Sequence, residues 1–385
     1  MKQEISLNKK YPVIIYPFED SHVVWFKKSR SFLLLEKPAF SILTLLTAGE
    51  EISQIKKVWR QQFKKHKSVA DAFVDEIIQI INQFNNPEFH NRVSRKNQVS
   101  SSLVPENFSI RKTYRIQKQV IIIEYQDEWL YNLIHPAFHH LEIPAQTAAR
   151  HHIQCFSSGN LLVVALNGKI KEAFKDSESE YYKGSIFQLF YSIIYKKPFS
   201  GWMCTLHASG IYNNNRALLF TAAAGNGKST IAAIMKATGT GYLSDDFIAA
   251  SSNGNVYPFP ASISVKEGSV PVLSDYYPEL RHKIQEKTPT GKLVRYLPVN
   301  NQDYFRNGIK TAGIVFVKYQ TGSGFSLVET GKKEALQHFL KETWVNPKAR
   351  YVQAFFEWID NTPFYKITYS DNERMIQAVE ALFHR

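Results

Sequence analysis

The sequence is most informative over residues 221–230, which read TAAAGNGKST. The apolar run 217–220 precedes this segment and predicts a buried strand, and residues 231–237 predict an apolar helix after it. A strand, a loop of small residues, Gly-Lys-Ser-Thr and a helix form the context that a phosphate-binding loop requires. Ala222 departs from the pattern, because it stands where the first glycine is expected, and a positive φ there would strain it.

The residue types of this loop match the chemistry of a bound nucleotide. Main-chain N–H groups of small residues can converge on phosphate oxygens, and the helix N-terminus adds partial positive charge. Lys228 is expected to reach the β- and γ-phosphates, and the Ser229 hydroxyl is expected to ligate Mg²⁺. The predicted cofactors are therefore ATP and Mg²⁺, and the predicted loop residues are Ala224, Gly225, Asn226, Gly227, Lys228, Ser229 and Thr230. A chance Gly-x-Gly-Lys-Ser-Thr in an ordinary loop is the alternative.

Two acidic residues, Asp245 and Asp246, follow a short apolar run after the predicted helix. Beside a bound triphosphate, one carboxylate can hold Mg²⁺ and the other can accept a proton from an attacking hydroxyl. A turn or a helix cap is the structural alternative, because Asp is common in both. The nearby phosphate loop favours the functional interpretation.

Composition restricts the possible partners. The 385 residues suit about two or three domains, and 47 Lys+Arg against 34 Asp+Glu give a net charge of +13. This charge admits nucleotides, nucleic acid or acidic peptides as partners, and a solvated basic surface accounts for it equally well. No RNA-binding pattern of interleaved glycine and aromatic residues is present, so nucleic acid is not favoured.

Other features of the sequence predict a cytoplasmic protein that does not enter membranes. No stretch approaches the roughly 18 uncharged apolar residues of a membrane span, and the N-terminus lacks the apolar core of a secretory signal. Two cysteines, Cys155 and Cys204, argue against a disulfide framework or a cysteine zinc site.

The chain divides by pattern into four regions. Residues 1–85 contain three short strand patterns and then three helical ones, the first with Pro38 at its start and Gly49 at its end. A polar stretch over 86–107 predicts a linker. Residues 108–200 are β-rich, and residues 201–385 contain the phosphate loop, with 206–212 predicted as one strand. The predicted fold class is a multi-domain α/β (α+β) protein.

The second half of the chain resembles HPr kinase/phosphorylase, and more closely the HPr-kinase-like serine kinases of peptide-modification pathways. The resemblance extends as a strand and helix pattern over 108–385, and its specific motifs are His207-Ala208, GNGKST at 225–230, Asp245-Asp246, PFP at 258–260 and SVK at 264–266. It implies a phosphate-loop fold related to phosphoenolpyruvate carboxykinase. Ala224 departs from the family pattern, which usually has serine there, and the phosphorylase signature is absent.

The resemblance also implies roles for individual residues. Lys228 and Ser229 would bind nucleotide phosphates and Mg²⁺, Asp245 would be the general base, and Asp246 would bind the metal. His207 corresponds to a family histidine near that base. HPr kinases are oligomers, so a homo-oligomer is implied as well. A basic segment at 281–310 is by default a solvated loop. The alternative is a mobile basic flap that reaches the nucleotide phosphates or the acceptor, with Lys266 and Arg295 as the candidate contacts.

Residues 1–85 resemble the PqqD-like winged-helix domains that recognise leader peptides of ribosomally made natural products. Their residues Phe32-Leu33-Leu34-Leu35, the helix from Pro38 to Gly49 and Glu50-Glu51-Ile52 carry the resemblance. Such domains hold an extended peptide as an added strand. A generic winged helix, including a DNA-binding one, is the alternative.

Together these features predict a kinase that transfers the γ-phosphoryl group of ATP to a hydroxyl, most plausibly of serine, on a precursor peptide bound by residues 1–85. Two alternatives remain open at this stage. One is a kinase for a small molecule such as a free amino acid or sugar, and the other is a non-catalytic, nucleotide-gated peptide-binding protein.

Overall fold

A computed structural model describes residues 10–62, 66–88, 95–100, 104–145, 147–223, 225–288, 291–299, 307–340 and 343–385. It is a mixed α/β structure with several separate sheets, in agreement with the predicted fold class at this level. No helix in these ranges combines the length and the apolar character needed to cross a bilayer.

The elements up to residue 200 alternate between strands and helices. The strands are β1 (Val13–Phe18), β2 (Ser21–Phe26), β3 (Ser31–Glu36), β4 (Ile110–Ile116), β5 (Gln119–Tyr125), β6 (Glu142–Ile143), β7 (His151–Ser158), β8 (Leu161–Leu166) and β9 (Lys169–Lys175). The helices are α1 (Lys37–Ala48), α2 (Ile52–Gln62), α3 (Lys67–Asn85), α4 (Glu128–Ile134) and α5 (Ser179–Ile194).

The remaining elements begin with the strand before His207. The strands are β10 (Cys204–Leu206), β11 (Ser209–Asn213), β12 (Arg216–Thr221), β13 (Gly241–Ser244), β14 (Ile248–Ala250), β15 (Asn255–Tyr257), β16 (Ile263–Lys266), β17 (Glu286–Lys287), β18 (Leu293–Leu297), β19 (Ile309–Tyr319), β20 (Ser326–Glu329), β21 (Thr343–Val345) and β22 (Phe364–Tyr369). The helices are α6 (Lys228–Ala237), α7 (Val270–Leu273), α8 (Lys332–Phe339), α9 (Ala349–Asp360) and α10 (Asn372–Leu382).

The chain forms two compact units, and the first contains β1–β3 and α1–α3. Its three strands form an antiparallel sheet in the order β1-β2-β3. The helix predicted from Pro38 to Gly49 is confirmed: Pro38 lies in its first turn, and Gly49 ends it with a φ of 91°. Proline suits the start of a helix and glycine suits the left-handed position after its end.

The first unit also contains residues from the C-terminal part of the chain, over 332–340 and 347–356. Phe356 of α9 stacks on Tyr16 of β1 with ring centroids 5.0 Å apart, and it meets Phe32 of β3 edge-on at 5.5 Å. Lys333 of α8 forms an ion pair with Glu36 at 2.9 Å. The structure therefore differs from the prediction that assigned all of 201–385 to one catalytic domain, because residues 332–340 and 347–356 belong to the first unit and Phe356 packs on β1 and β3.

The second unit contains three sheets. Six strands pair in the order β6-β4-β5-β7-β8-β9, and β16, β18 and β17 form a small sheet. The largest sheet has the path β13-β11-β12-β19-β15-β14-β10-β21, with β22 also paired to β19. Strands β12, β19 and β22 are parallel to one another, so their carboxyl ends lie at one edge of this sheet.

Two sequence predictions change in the second unit. The predicted strand 206–212 is wrong in detail, because β10 ends at Leu206, β11 begins at Ser209, and the two pair with different strands. Part of the predicted linker 86–107 packs onto the six-stranded sheet: the Arg95 N–H donates to Ala173 O at 2.8 Å, and Arg95 pairs with Glu178 at 2.5 Å. The predicted linker is therefore held against the second unit at Arg95, although its composition is polar.

Gly210 of β11 provides a test of the packing between β11 and β13. A Cβ atom there would lie 2.7 Å from Cδ2 of Leu243 and 3.0 Å from Cδ1 of Ile248, and both side chains are fully buried. We expect Gly210→Ala to reduce the free energy of unfolding by about 1–3 kcal/mol through overpacking, measured by chemical denaturation. Gly268→Ala is the matched control, because its Cβ would meet no atom within 4 Å. Equal stability of the two variants would contradict this packing.

Candidate functional site

The predicted phosphate loop connects β12 to α6, as the motif requires. Gly225 and Gly227 have φ values of 89° and 95°, in the left-handed region that glycine adopts without a steric penalty. Ala222 does not adopt a positive φ, so the alanine at the first position of the motif is not strained. Ala224 lies outside the described residues.

The side chain of Lys228 folds back over the loop. Its Nζ donates to the main-chain oxygen of Ala222 at 2.8 Å, and only 7% of the residue is exposed. An ammonium group has three donors, and this bond uses one of them. The lysine therefore closes the loop and keeps a positive charge at the position where the motif predicts the β- and γ-phosphates.

The carboxylate of Asp245 is buried beside the first turn of α6, with 3% of the residue exposed. Its Oδ1 accepts hydrogen bonds from Ser209 Oγ and, at 2.9 Å, from Ser229 Oγ. Its Oδ2 accepts from the main-chain N–H of Ser264 at 3.2 Å. The acid that follows β13 is thus connected directly to the loop serine that follows β12.

Burial is the main cause that raises the pKa of Asp245, to about 7, and the neighbouring charge of Asp246 adds to it. The hydrogen bonds from Ser209, Ser229 and Ser264 act in the opposite direction and favour the charged form. A divalent cation beside Ser229 and Asp245 would supply the missing positive charge. One carboxylate and one hydroxyl, completed by phosphate oxygens and water, form a donor set that fits Mg²⁺.

Asp246 is in a different environment, although it is the next residue. It has a φ of 63°, and 45% of its side chain is exposed. The Nδ1 of His207 lies 3.1 Å from the Asp246 main-chain oxygen, and the Nε2 lies 3.9 Å from its Oδ1. A carbonyl oxygen only accepts, so Nδ1 carries the hydrogen of this bond and Nε2 faces the carboxylate. The left-handed turn thus directs the two carboxylates into different surroundings.

Three other predicted binding residues, Thr230, Lys266 and Arg295, contact other groups or are exposed. Thr230 Oγ1 is 2.9 Å from Ser269 Oγ, and Lys266 is exposed at the end of β16. Arg295 forms an ion pair with Glu267 and donates through Nε to Lys283 O at 3.1 Å. An interaction of Arg295 with a nucleotide would require this ion pair to break, so its role stays a prediction.

Two residues that contact Asp245 received no role in the sequence analysis: Ser209, which was not singled out, and Ser264, which was quoted only as part of the SVK motif. Both donate to Asp245, one from its side chain at the start of β11 and one from its main chain in β16. The position of Ser209, two residues after His207, is a weak indication in the sequence that it belongs to the site. Ser264 contributes a main-chain N–H, which any residue other than proline supplies, so its identity carries no signal.

The chain matches no protein-family model, and a search of the curated proteins finds no match to it. The chemistry of this site is therefore inferred from its own residues. Among the described residues, no group of three or more histidine, cysteine, aspartate or glutamate side chains is arranged to hold a metal ion. Any cation here would need ligands from the loop serine and from a bound phosphate.

The raised pKa of Asp245 predicts a pH dependence of stability in the absence of nucleotide and metal. A carboxyl group with a higher pKa in the folded state stabilises the fold at low pH, and this contribution is lost between its ordinary pKa of 3.8 and about 7. We expect Asp245→Asn to become more stable relative to wild type as the pH rises from 4 to 8, measured by thermal unfolding.

Asp246→Asn serves as the graded comparison for this measurement. It removes the neighbouring charge and leaves Asp245 buried. The stability of Asp246→Asn should therefore still fall as the pH rises, but less steeply than that of the wild type. A difference between Asp245→Asn and wild type that does not change with pH would show that Asp245 does not titrate in this range.

Proposed function

We propose that this protein is an ATP-dependent kinase that transfers the γ-phosphoryl group to a serine hydroxyl on a peptide bound by the first unit. The observation that supports the transfer chemistry best is the hydrogen bond between Ser229 and the buried Asp245 at 2.9 Å. It joins a phosphate-loop serine to an acid on a neighbouring element, which is the arrangement that phosphoryl transfer with Mg²⁺ uses in other phosphate-loop enzymes.

The geometry favours an exchange of the roles predicted for the two aspartates. Asp245 contacts the loop serine and is shielded from solvent, so we assign it to the metal side of the site. Asp246 is 45% exposed beside His207, so it can meet an acceptor hydroxyl, and we assign it the role of general base. When bound, Mg²⁺ would neutralise charge on the transferred phosphoryl group.

The proposed transfer is an in-line displacement on the γ-phosphorus. The acceptor oxygen forms the new P–O bond, the bond to the β-phosphate oxygen breaks, and ADP leaves with that electron pair. The proton of the acceptor hydroxyl goes to the Asp246 carboxylate. Lys228 holds the phosphates, and His207 fixes the turn at Asp246 by donating from Nδ1 to its main-chain oxygen.

A peptide acceptor is favoured by the sheet of the first unit. Strands β1 and β3 are the edges of the three-stranded sheet, and an edge strand offers main-chain groups to an extended peptide. The side chains of Leu33 and Leu34 on β3 are only partly buried, which would add apolar contact. This interpretation agrees with the resemblance of residues 1–85 to the PqqD-like domains.

A cavity of about 400 Å³ in the second unit favours a second candidate, a kinase for a small molecule. Its lining includes Tyr131, His135, Glu286 and Tyr296, and its volume suits a small ligand. Burial and nearby acidic charges, Asp246 among them, raise the pKa of Tyr296.

Substitution of the two aspartates tests the assigned roles. We expect Asp246→Asn to reduce phosphoryl transfer by roughly 100-fold or more, the effect of losing a general base, while Mg²⁺-dependent ATP binding is retained. Asp245→Asn should instead weaken ATP binding in Mg²⁺ more than in EDTA. Binding is measured by calorimetry, and Asp275→Asn, an exposed carboxylate next to Arg281, is the control. Full transfer activity of Asp246→Asn would refute its role.

A direct comparison of acceptors tests the substrate class. The full chain is incubated with radiolabelled ATP and Mg²⁺, either with a library of serine-containing acidic peptides or with a panel of free amino acids and sugars. We expect label in peptides, because the basic chain and the edge strands of the three-stranded sheet favour them. Label only in free compounds would support the second candidate, and ATP binding without transfer to either group would indicate a non-catalytic nucleotide-gated protein.

A further inference from the structure

Two tyrosines end the parallel strands that lie beside the strand of the phosphate loop. Tyr319 is the last residue of β19, Tyr369 is the last residue of β22, and the two are paired in register. The carboxyl ends of parallel strands lie at one edge of a sheet, where ligands of open α/β sheets bind. Both tyrosines therefore lie at the same edge as the loop that follows β12.

Contacts with the loop confirm this placement. The main-chain N–H of Tyr319 donates to Asn226 O at 3.2 Å. A Cβ atom on Gly227 would lie 3.5 Å from Cβ of Tyr319 and 3.6 Å from the hydroxyl oxygen of Tyr369. The two tyrosines thus border the final glycine of the loop, immediately before Lys228.

The sheet order gives the site two chemically different sides. Strands β11 and β13 lie on one side of β12, and Asp245 and Asp246 follow β13. Strands β19 and β22 lie on the other side and end in the two tyrosines. A nucleoside triphosphate bound across the loop with its terminal phosphate at the acids would have its nucleoside on the side of the tyrosines.

The exposure of these side chains is suited to a ligand with an aromatic base. Tyr319 is 46% exposed, one of the few large apolar residues with that much exposure, and its ring meets that of Tyr369 edge-on at 5.5 Å, which holds it in place. The hydroxyl of Tyr369 is buried, and it has no hydrogen-bond partner within the described part of the chain. Burial raises the pKa of Tyr369, so this group remains a donor.

We propose that Tyr319 and Tyr369 form the nucleoside end of the site, with the Tyr319 ring stacked on the nucleobase and the Tyr369 hydroxyl donating to a phosphate oxygen beside Gly227. The proposal rests on the proposed function, because it takes the loop to hold a nucleotide. It extends that function by naming the residues that recognise the base.

The test compares a ligand with a base and one without. ATP and inorganic tripolyphosphate are titrated into the full chain in Mg²⁺, and binding is measured by calorimetry. We expect Tyr319→Ala to weaken ATP binding by roughly tenfold to a hundredfold, the range for loss of one base–aromatic stack, and to leave tripolyphosphate binding unchanged. Tyr319→Trp should retain ATP binding, since it keeps an aromatic face.

Control variants separate this proposal from a structural role. Tyr181→Ala removes a similarly exposed tyrosine on α5 and should change neither titration. Tyr369→Phe should weaken both ligands by the same factor, because it removes a donor to phosphate and not a contact with the base.

Three results would overturn the inference. Unchanged ATP binding in Tyr319→Ala would place the base elsewhere, and an equal loss for both ligands would show that Tyr319 only supports the loop. Unchanged binding of both ligands in Tyr369→Phe would show that the Tyr369 hydroxyl does not donate to a phosphate oxygen. These results leave the phosphate site in place, whereas failure of the wild-type protein to bind either ligand would refute the proposed function and this inference together.

Discussion

The candidate site depends on the burial of one carboxylate. Asp245 accepts hydrogen bonds from two serine hydroxyls and one main-chain N–H, and these donors lie in β11, α6 and β16. These hydrogen bonds favour the charged carboxylate, but burial has the larger effect and raises the pKa of Asp245. A nearby cation would therefore stabilise the charged form. This acid connects the start of α6, through Ser229, with the turn at Asp246 that follows β13.

Much of the loop geometry at the candidate phosphate site was predictable from the sequence, because it is local. Gly225 and Gly227 occupy left-handed positions that only glycine adopts easily, and Lys228 and Ser229 follow them at the start of a helix. The acidic pair after β13 was also predictable as a neighbour of the loop. Each of these features depends on only a few consecutive residues, so a short sequence motif is enough to predict it.

The features that the sequence did not reveal depend on long-range packing. The different surroundings of Asp245 and Asp246 go with a positive φ at Asp246, which composition does not indicate. The ion pair of Arg295 with Glu267 joins residues on different elements, and the basic character of the segment suggested phosphate binding instead. The aromatic contacts of Phe356 with β1 and β3 join the two ends of the chain, beyond the range of any local pattern.

The C-terminal helices in the first unit have a consequence for protein synthesis. The ribosome produces this chain from the N-terminus, so β1–β3 emerge long before Phe356, which belongs to the same compact unit. At about 5–20 residues per second, the interval lasts tens of seconds. During that time the nascent strands present Tyr16 and Phe32 without their aromatic partners from α9, and a chaperone or the ribosome surface would be the natural means of shielding them.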